Sequence, residues 1–415
     1  MQLKTIRWLN NPQLSLSGKR LLCRLDLDVP HNKEGQLGNL SGLLHNTQTL
    51  AYALQQGAFV IAAGHLGDPK AKFRQHLSLY PIANYLQQRL QCEVLFVHDS
   101  INDGARYLSK TLKQGQLLML ENLLFDRGEQ NHTPTFSQKL AQLADIYVND
   151  AFSCSRFAYA STTTTPHLLP CRLGGFALQK QLETLHILQH TAPKPVLAIV
   201  GGDQQDVNKT LPLLKYLLPY VDNLLLCGQM AHLFLSAGVT ASPKPLSPPK
   251  NKQFVAAAKL WQACQQRGIA VTLPQDVMLP SPNTDKPICA TVDPQTTTHQ
   301  PPLDIGPQTC ALFSKKIQQA ATVLLLDCVG QWQKPHCGNG TAALLSSMSQ
   351  GPKQRILAGN KVLQAYYQQP NSSNTLFHLL NSSQAALTTL AGNIMPGLQP
   401  LITQDNSDQS KPKFI

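Results

Sequence analysis

The stretch AGHLGDPKAKF, residues 63–73, sets a glycine turn, His65, Pro69, Lys70 and Lys72 directly after an apolar run. A strand ending in such a turn opens onto a phosphate-sized anion, because glycine lets backbone N–H groups approach it and the cations balance its charge. Asp68 places a negative charge on the same turn, against that use. Asp26 and Asp28 end another apolar run, RLLCRLDLDVP, and a Gly-Gly turn at Gly201–Gly202 opens GGDQQDVNK. These three strand-end segments are the candidates for chemistry.

Holding them in place requires a sheet whose strand ends converge. Short apolar runs alternate with amphipathic stretches along the whole chain. Strands are expected at 20–27, 58–64, 94–98, 116–122 and 146–151, and again at 195–202, 223–228, 269–274, 322–329 and 355–359. Between them, SLYPIANYLQQRL carries Tyr80, Ala83, Leu86 and Leu90 at helical spacing, and TFSQKLAQLA carries Phe136, Leu140 and Leu143. Continuously apolar strands alternating with helices imply an α/β fold with parallel sheets covered on both faces. At 415 residues the chain exceeds one ordinary core. Two doubly wound, Rossmann-like domains are expected, 1–174 and 193–395, joined by a hinge helix at 175–192 and followed by a partly disordered tail at 396–415. Loops near 238–252 and 290–303, rich in Pro, Ser and Thr, read as surface excursions.

The blocks GKRLLCRLDLDVP (18–30), HLGDPKAKF (65–73), LENLLFDRGE (120–129), YVNDAF (147–152), AIVGG (198–202), LPQDV (273–277) and LDIGPQT (303–309) follow one another along the chain. In order and spacing they resemble the phosphoglycerate kinase family over nearly the whole length. The resemblance implies 3-phosphoglycerate binding on the first half, Mg-ATP or Mg-ADP binding on the second, and closure about a hinge for phosphoryl transfer.

Position by position, the cationic patch that the family uses is largely replaced. Asp26 and His65 match substrate-side positions, whereas Asp28 stands for asparagine and Gly42, Asp68, Leu124 and Phe157 each stand for arginine. Arg156 takes the place of a histidine, and Tyr159 that of a second one. On the nucleotide side, Gln204 stands for the phosphate-contacting lysine, and Leu326 and Gln333 for the asparagine and the ribose-contacting acid. The Gly-Gly-Gly-Asp-Thr turn becomes Ala358, Gly359, Asn360, Lys361 and Val362, and the final Thr-Gly-Gly-Gly becomes NSSQ, 381–384. Arg156 and Lys209 are the candidates to compensate.

Each lost donor to a developing phosphoryl charge costs about 2–4 kcal/mol. Discounting for non-additivity, at least five lost groups leave about 8–10 kcal/mol, about a millionfold in rate. The leading expectation is therefore a pseudoenzyme, a binding or regulatory scaffold whose ligand is a small molecule or a protein of unknown identity, with no cofactor or metal. The alternative is a divergent but active glycolytic kinase using Arg156, Lys209 and Lys361 with Mg-ATP/ADP. A net charge of +12 and pI of about 9.2 raise a third reading, nucleic-acid binding, but only 14% of residues are charged and the basic stretches lack interleaved aromatics. Nucleic acid is therefore not the expected partner. The N-terminus reads as lacking a signal peptide and no run is apolar enough for a membrane span. Ten scattered cysteines without a C-x-x-C suggest free buried thiols. A cytoplasmic monomer is expected.

Overall fold

A computed structural model of the chain describes residues 5–29, 37–38, 40, 43–67, 74–99, 101–238, 252–292, 300–369 and 377–402. Gly42, Asp68, most of the two expected surface loops and the end of the tail lie outside these residues. The chain divides into two compact units, residues up to Leu182 with those from Ile394 onward, and Glu183–Asn393.

Unit 1 is built on six parallel strands, β1 (Arg20–Leu25), β2 (Phe59–Ala63), β3 (Glu93–Val97), β4 (Gln116–Leu120), β5 (Ile146–Asp150) and β6 (Cys171–Gly174). Their order is β3-β4-β2-β1-β5-β6. β1 lies in the middle, with Leu21 in register with Val60 on one side and Ile146 on the other. Its apolar residues are buried on both faces, as a parallel strand covered by helices requires. The helix Tyr80–Leu90 buries Ile82, Ala83 and Leu86, but Tyr80, expected on that face, is 50% exposed. At position 80 the helix is only starting, with Pro81 beside it, and the apolar stripe begins at Ile82.

The unit is closed by residues the sequence reading assigned to a tail. Pro396–Leu401 form a short 3-10 helix, Asn149 Nδ2 donates to the Gly397 carbonyl at 2.8 Å, and Ile402 bridges Ile6. The helix Phe176–His190 passes from one unit into the other, with the division falling after Leu182. Its first turn is tied to β5, because the Leu178 N–H donates to Asp150 Oδ1 at 3.0 Å.

Unit 2 repeats the plan with β7 (Val196–Val200), β8 (Asn223–Leu226), β9 (Ala270–Thr272), β13 (Thr322–Leu326), β14 (Gln354–Ala358) and β15 (His378–Leu380), ordered β15-β14-β13-β7-β8-β9 and all parallel. A separate antiparallel sheet joins β10 (Asp276–Leu279), β11 (Ile288–Thr291) and β12 (Asp304–Ile305). Six of the cysteines are buried, but Cys289 on β11 is exposed. In both units the candidate residues cluster at the carboxyl ends of the strands, where doubly wound sheets open their crevices.

Candidate functional site

In unit 1 the strand ends carry a buried polar network centred on Arg24, a residue 1% exposed near the carboxyl end of β1. Its guanidinium donates to Ser161 Oγ (2.9 Å), the Leu25 carbonyl (2.6 Å), Cys154 Sγ (2.9 Å) and His65 Nδ1 (2.8 Å). Ser161 donates onward to the carboxylate of Glu129, which is fully buried. Burial opposes charge on Arg24, but Cys154, Glu129, Tyr147 and Asp26 around it together hold it firmly protonated. Burial raises Glu129 above the usual carboxylate range, partly offset by Arg24 and Ser161.

This network fixes the state of His65. A guanidinium can only donate, so the Nδ1 it contacts must carry a lone pair, and a protonated imidazole has none there. Burial first, and the Arg24 charge second, pull the His65 pKa down to about 3. The ring is therefore neutral at physiological pH and packs edge-on to Tyr159, centroids 5.8 Å apart.

Asp26 is equally committed. Its carboxylate accepts from Ser153 N (2.8 Å), Ser153 Oγ (2.7 Å) and Cys154 N (3.3 Å), pinning the loop after β5. Burial raises its pKa despite those bonds. Asp28 accepts from the Gly67 N–H at 2.9 Å, so a carboxylate takes a backbone donor of the opening turn. Leu124, 6% exposed, is buried in the short 3-10 helix Leu123–Phe125. Arg156 lies over the Phe157 ring, its guanidinium carbon 4.1 Å from the centroid, and Phe157 in turn tilts against Tyr159 at 5.3 Å. The structure thus brings His65, Tyr159, Phe157 and Arg156 into one row, in which Arg156 is the charged member.

In unit 2 the ends of β7, β8, β13 and β14 surround a cavity of about 590 Å³. The backbone approaches itself closely here: a Cβ on Gly201 would sit 2.1 Å from the Cys328 carbonyl oxygen. Asp203 caps the helix Gln204–Thr210, accepting from the N–H groups of Gln205 and Asp206, while the Asp206 side chain accepts from the Asp203 N–H. This reciprocal cap fills the helix N-terminus with the protein's own carboxylates. Lys361 Nζ then donates to Asp203 Oδ2 (2.5 Å) and Asp206 Oδ2 (2.8 Å). Burial opposes the Lys361 charge, but the two carboxylates more than compensate and raise its pKa. Asp203 moves the other way, its burial outweighed chiefly by the Lys361 bond.

Beneath this knot lies Asp327, 5% exposed, at φ +60, accepting from Ser383 Oγ at 2.9 Å. Burial, reinforced by Asp206, pushes its pKa up to about 7. Gly359, at φ +117, passes so close that a Cβ there would lie 2.0 Å from Asp327 Oδ1.

A family model described as phosphoglycerate kinase matches residues 12–393. The chain belongs to the phosphoglycerate kinase family. The phosphoglycerate kinase of Moorella thermoacetica is 32% identical over 389 residues, covering 94% of this chain and 97% of that protein. That of Bdellovibrio bacteriovorus is 29% identical, covering 97% and 98%. Among solved structures, phosphoglycerate kinase from Coxiella burnetii superposes with a TM-score of 0.73 at 27% identity, covering 95% of this chain and 98% of that one. The enzyme from Pyrococcus horikoshii reaches 0.77 at 21% identity and covers the same shares, a likeness of fold.

Against the phosphoglycerate kinase motifs, the positions separate clearly. Gln204, Gln333 and Lys361 line the unit 2 cavity, whereas Gly359, Asn360 and Val362 do not. Asn360 begins the helix Asn360–Tyr367, its side chain accepting from Gln364, and Val362 is fully buried. Lys209, proposed as a compensating cation, sits exposed in the last turn of the helix that Asp203 caps and is not part of the cavity wall. Helical geometry carries it away, since five residues advance the helix more than one turn. Lys361 is not a free cation either, because Asp203 and Asp206 take its charge. Gly42 and Asp68 lie outside the described residues.

Sequence reasoning did not find Arg24, Glu129, Ser161 or Cys154, nor the trio Asp203, Asp206 and Asp327. Signals existed: Arg24 interrupts an otherwise apolar strand, and Asp203-x-x-Asp206 after a Gly-Gly turn is a helix-cap pattern. Asp327 stands where the family block has glycine, consistent with its positive φ.

Proposed function

We propose that this member of the phosphoglycerate kinase family does not transfer phosphoryl groups and serves as a binding scaffold. The observation that carries the reading is the Lys361 knot. At the position of the family's metal-nucleotide aspartate, a lysine is bonded to two carboxylates that cap the helix following the Gly-Gly turn. Phosphoryl transfer depends on free positive charge and on donors aimed at phosphate oxygens. Here the cation is neutralised internally and the helix-terminal donors are spent on Asp203. Unit 1 supports the same reading, since His65 is neutral and Leu124 and Phe157 stand where cations are needed.

Among the described residues no helix is long and apolar enough to cross a membrane. We read the protein as a cytoplasmic monomer. A coupled assay with 3-phosphoglycerate and Mg-ATP tests the proposal. The expected turnover is about a millionfold below the ordinary enzyme scale of about 10 s⁻¹, and turnover near that scale overturns it.

A further inference from the structure

We propose that His186 and His190 form a chelating site for a divalent transition-metal ion of the nickel or copper type, bound through one nitrogen of each imidazole. The site lies on the helix Phe176–His190, apart from the strand-end residues, and does not depend on the scaffold reading above.

The two histidines are four positions apart, so they project one above the other from the same helix face. The opposite face makes the core contacts. Leu178, Leu182, Leu185 and Leu188 are at most 3% exposed, whereas His186 and His190 are exposed. Packing therefore explains the leucines but not the histidines. Among the described residues neither imidazole makes a hydrogen bond or an ion pair. Each ring instead meets the other, with centroids 4.5 Å apart and planes inclined by 51°.

That separation suits a shared metal ion. A bond of about 2.1 Å to nitrogen, with the nitrogen about 1.1 Å from the ring centre, places an ion about 3.2 Å from each centroid. Two rings at a right angle about the ion then have centroids about 4.5 Å apart, against about 5.2 Å at the tetrahedral angle. The observed 4.5 Å matches the right angle. Ni²⁺ and Cu²⁺ offer neighbouring positions at right angles and favour imidazole, whereas Zn²⁺ in protein sites is mostly tetrahedral. Among the described residues no third His, Cys, Asp or Glu joins the pair, so water completes the coordination. Mg²⁺ and Ca²⁺, which take oxygen ligands, find none supplied by these side chains.

The local field favours a cation as well. His190 is the last residue of the helix, where the unpaired carbonyl ends carry partial negative charge. Two ligands one turn apart grip the ion together only while that turn is helical. A bound ion therefore stabilises the end of the helix that passes from one unit into the other.

Isothermal titration of the untagged, full-length protein with Ni²⁺ tests the proposal. One ion per chain is expected, with a dissociation constant below about 100 µM, unchanged by Mg²⁺ in excess and at least threefold tighter than for Zn²⁺. H186Q and H190Q, each at an exposed position that carries no core contact, are expected to weaken Ni²⁺ binding at least tenfold. H167Q and C289S, which remove a histidine elsewhere and the exposed thiol, are expected to leave it unchanged. Absence of binding at 1 mM Ni²⁺ overturns the proposal, as does binding that survives in H186Q or H190Q, or that is lost in H167Q or C289S. Zn²⁺ binding as tight as Ni²⁺ binding overturns it too, because the right-angle geometry then fails. None of these outcomes bears on turnover in the coupled assay, so failure here is distinguishable from failure of the scaffold reading.

Discussion

The strand ends of unit 1 and of unit 2 hold their charged side chains in different ways. In unit 1 the charges are buried and locked into the fold. Arg24 and Glu129 sit at or below 1% exposure, bridged through Ser161, and the histidine beside them is held neutral. In unit 2 the charges stay at the cavity wall and cancel one another, with Lys361 set between Asp203 and Asp206. The first arrangement leaves a polar core and the second leaves a cavity. The comparison teaches that a positive charge can be paired with internal counter-charges either inside the core or at the wall of a cavity, and that only the second arrangement leaves the paired groups exposed to what enters the cavity.

The contrast predicts unequal sensitivity to substitution. Arg24→Met should be the most damaging, because it leaves Glu129 buried without its cation, at about 3–5 kcal/mol. Urea denaturation measures the loss, and a change under about 1 kcal/mol breaks the view of unit 1 as a charge-locked core. Gly359→Ala should cost about 2–4 kcal/mol in unit 2, since it combines a positive φ with a Cβ driven into Asp327. A neutral result there places the tightness of the cavity floor elsewhere.

Asp327→Asn should act in the opposite direction. The native carboxyl holds its proton up to about pH 7 in the folded state, but only to about pH 4 when unfolded. Between those values the folded state binds more protons, so this residue's contribution to stability falls as pH rises. The asparagine variant mimics the protonated form and also tolerates φ +60. It should be more stable than the native protein at pH 8 by about 1–3 kcal/mol, with the difference vanishing near pH 4. Paired thermal denaturation profiles across that window decide the point, and a constant offset would show that Asp327 does not titrate there.

His65→Gln has the smallest expected effect and the opposite sign. The folded histidine stays unprotonated down to about pH 3, whereas the unfolded one protonates near pH 6.5. The native protein therefore loses this contribution as pH falls from about 6.5 toward 3, and the variant does not. The two profiles should converge by about 1–2 kcal/mol between pH 7 and pH 5. Parallel profiles would mean that burial and Arg24 do not hold the imidazole neutral.

Much of this molecule was legible before folding was considered. The apolar runs placed most strands of the parallel sheets within a few residues of their observed bounds. The expected strand at 322–329, for instance, is realised as β13, Thr322–Leu326. Short elements were missed, notably β6, β15 and the antiparallel β10–β12, because strands of two to four residues barely establish a period. Near the sites, Gln204 and Gln333, read from the motif positions, both line the cavity, whereas Lys209, read as a candidate match to a downstream lysine position, lies on the exposed last turn of its helix and outside the cavity wall.

By itself the sequence determined the alternation of buried strands and helices, the family, and the residue type at each position of the family's motifs. Those features rest on local periodicity and on residue identity at fixed spacing, which need no partner to be read. The tertiary structure alone decided how the remaining charges are used. Lys361 meets Asp203 across 158 positions, and Arg24 meets His65 across 41. Protonation, pairing and burial depend on what lies within a few ångströms, and chain folding, not chain order, sets that neighbourhood.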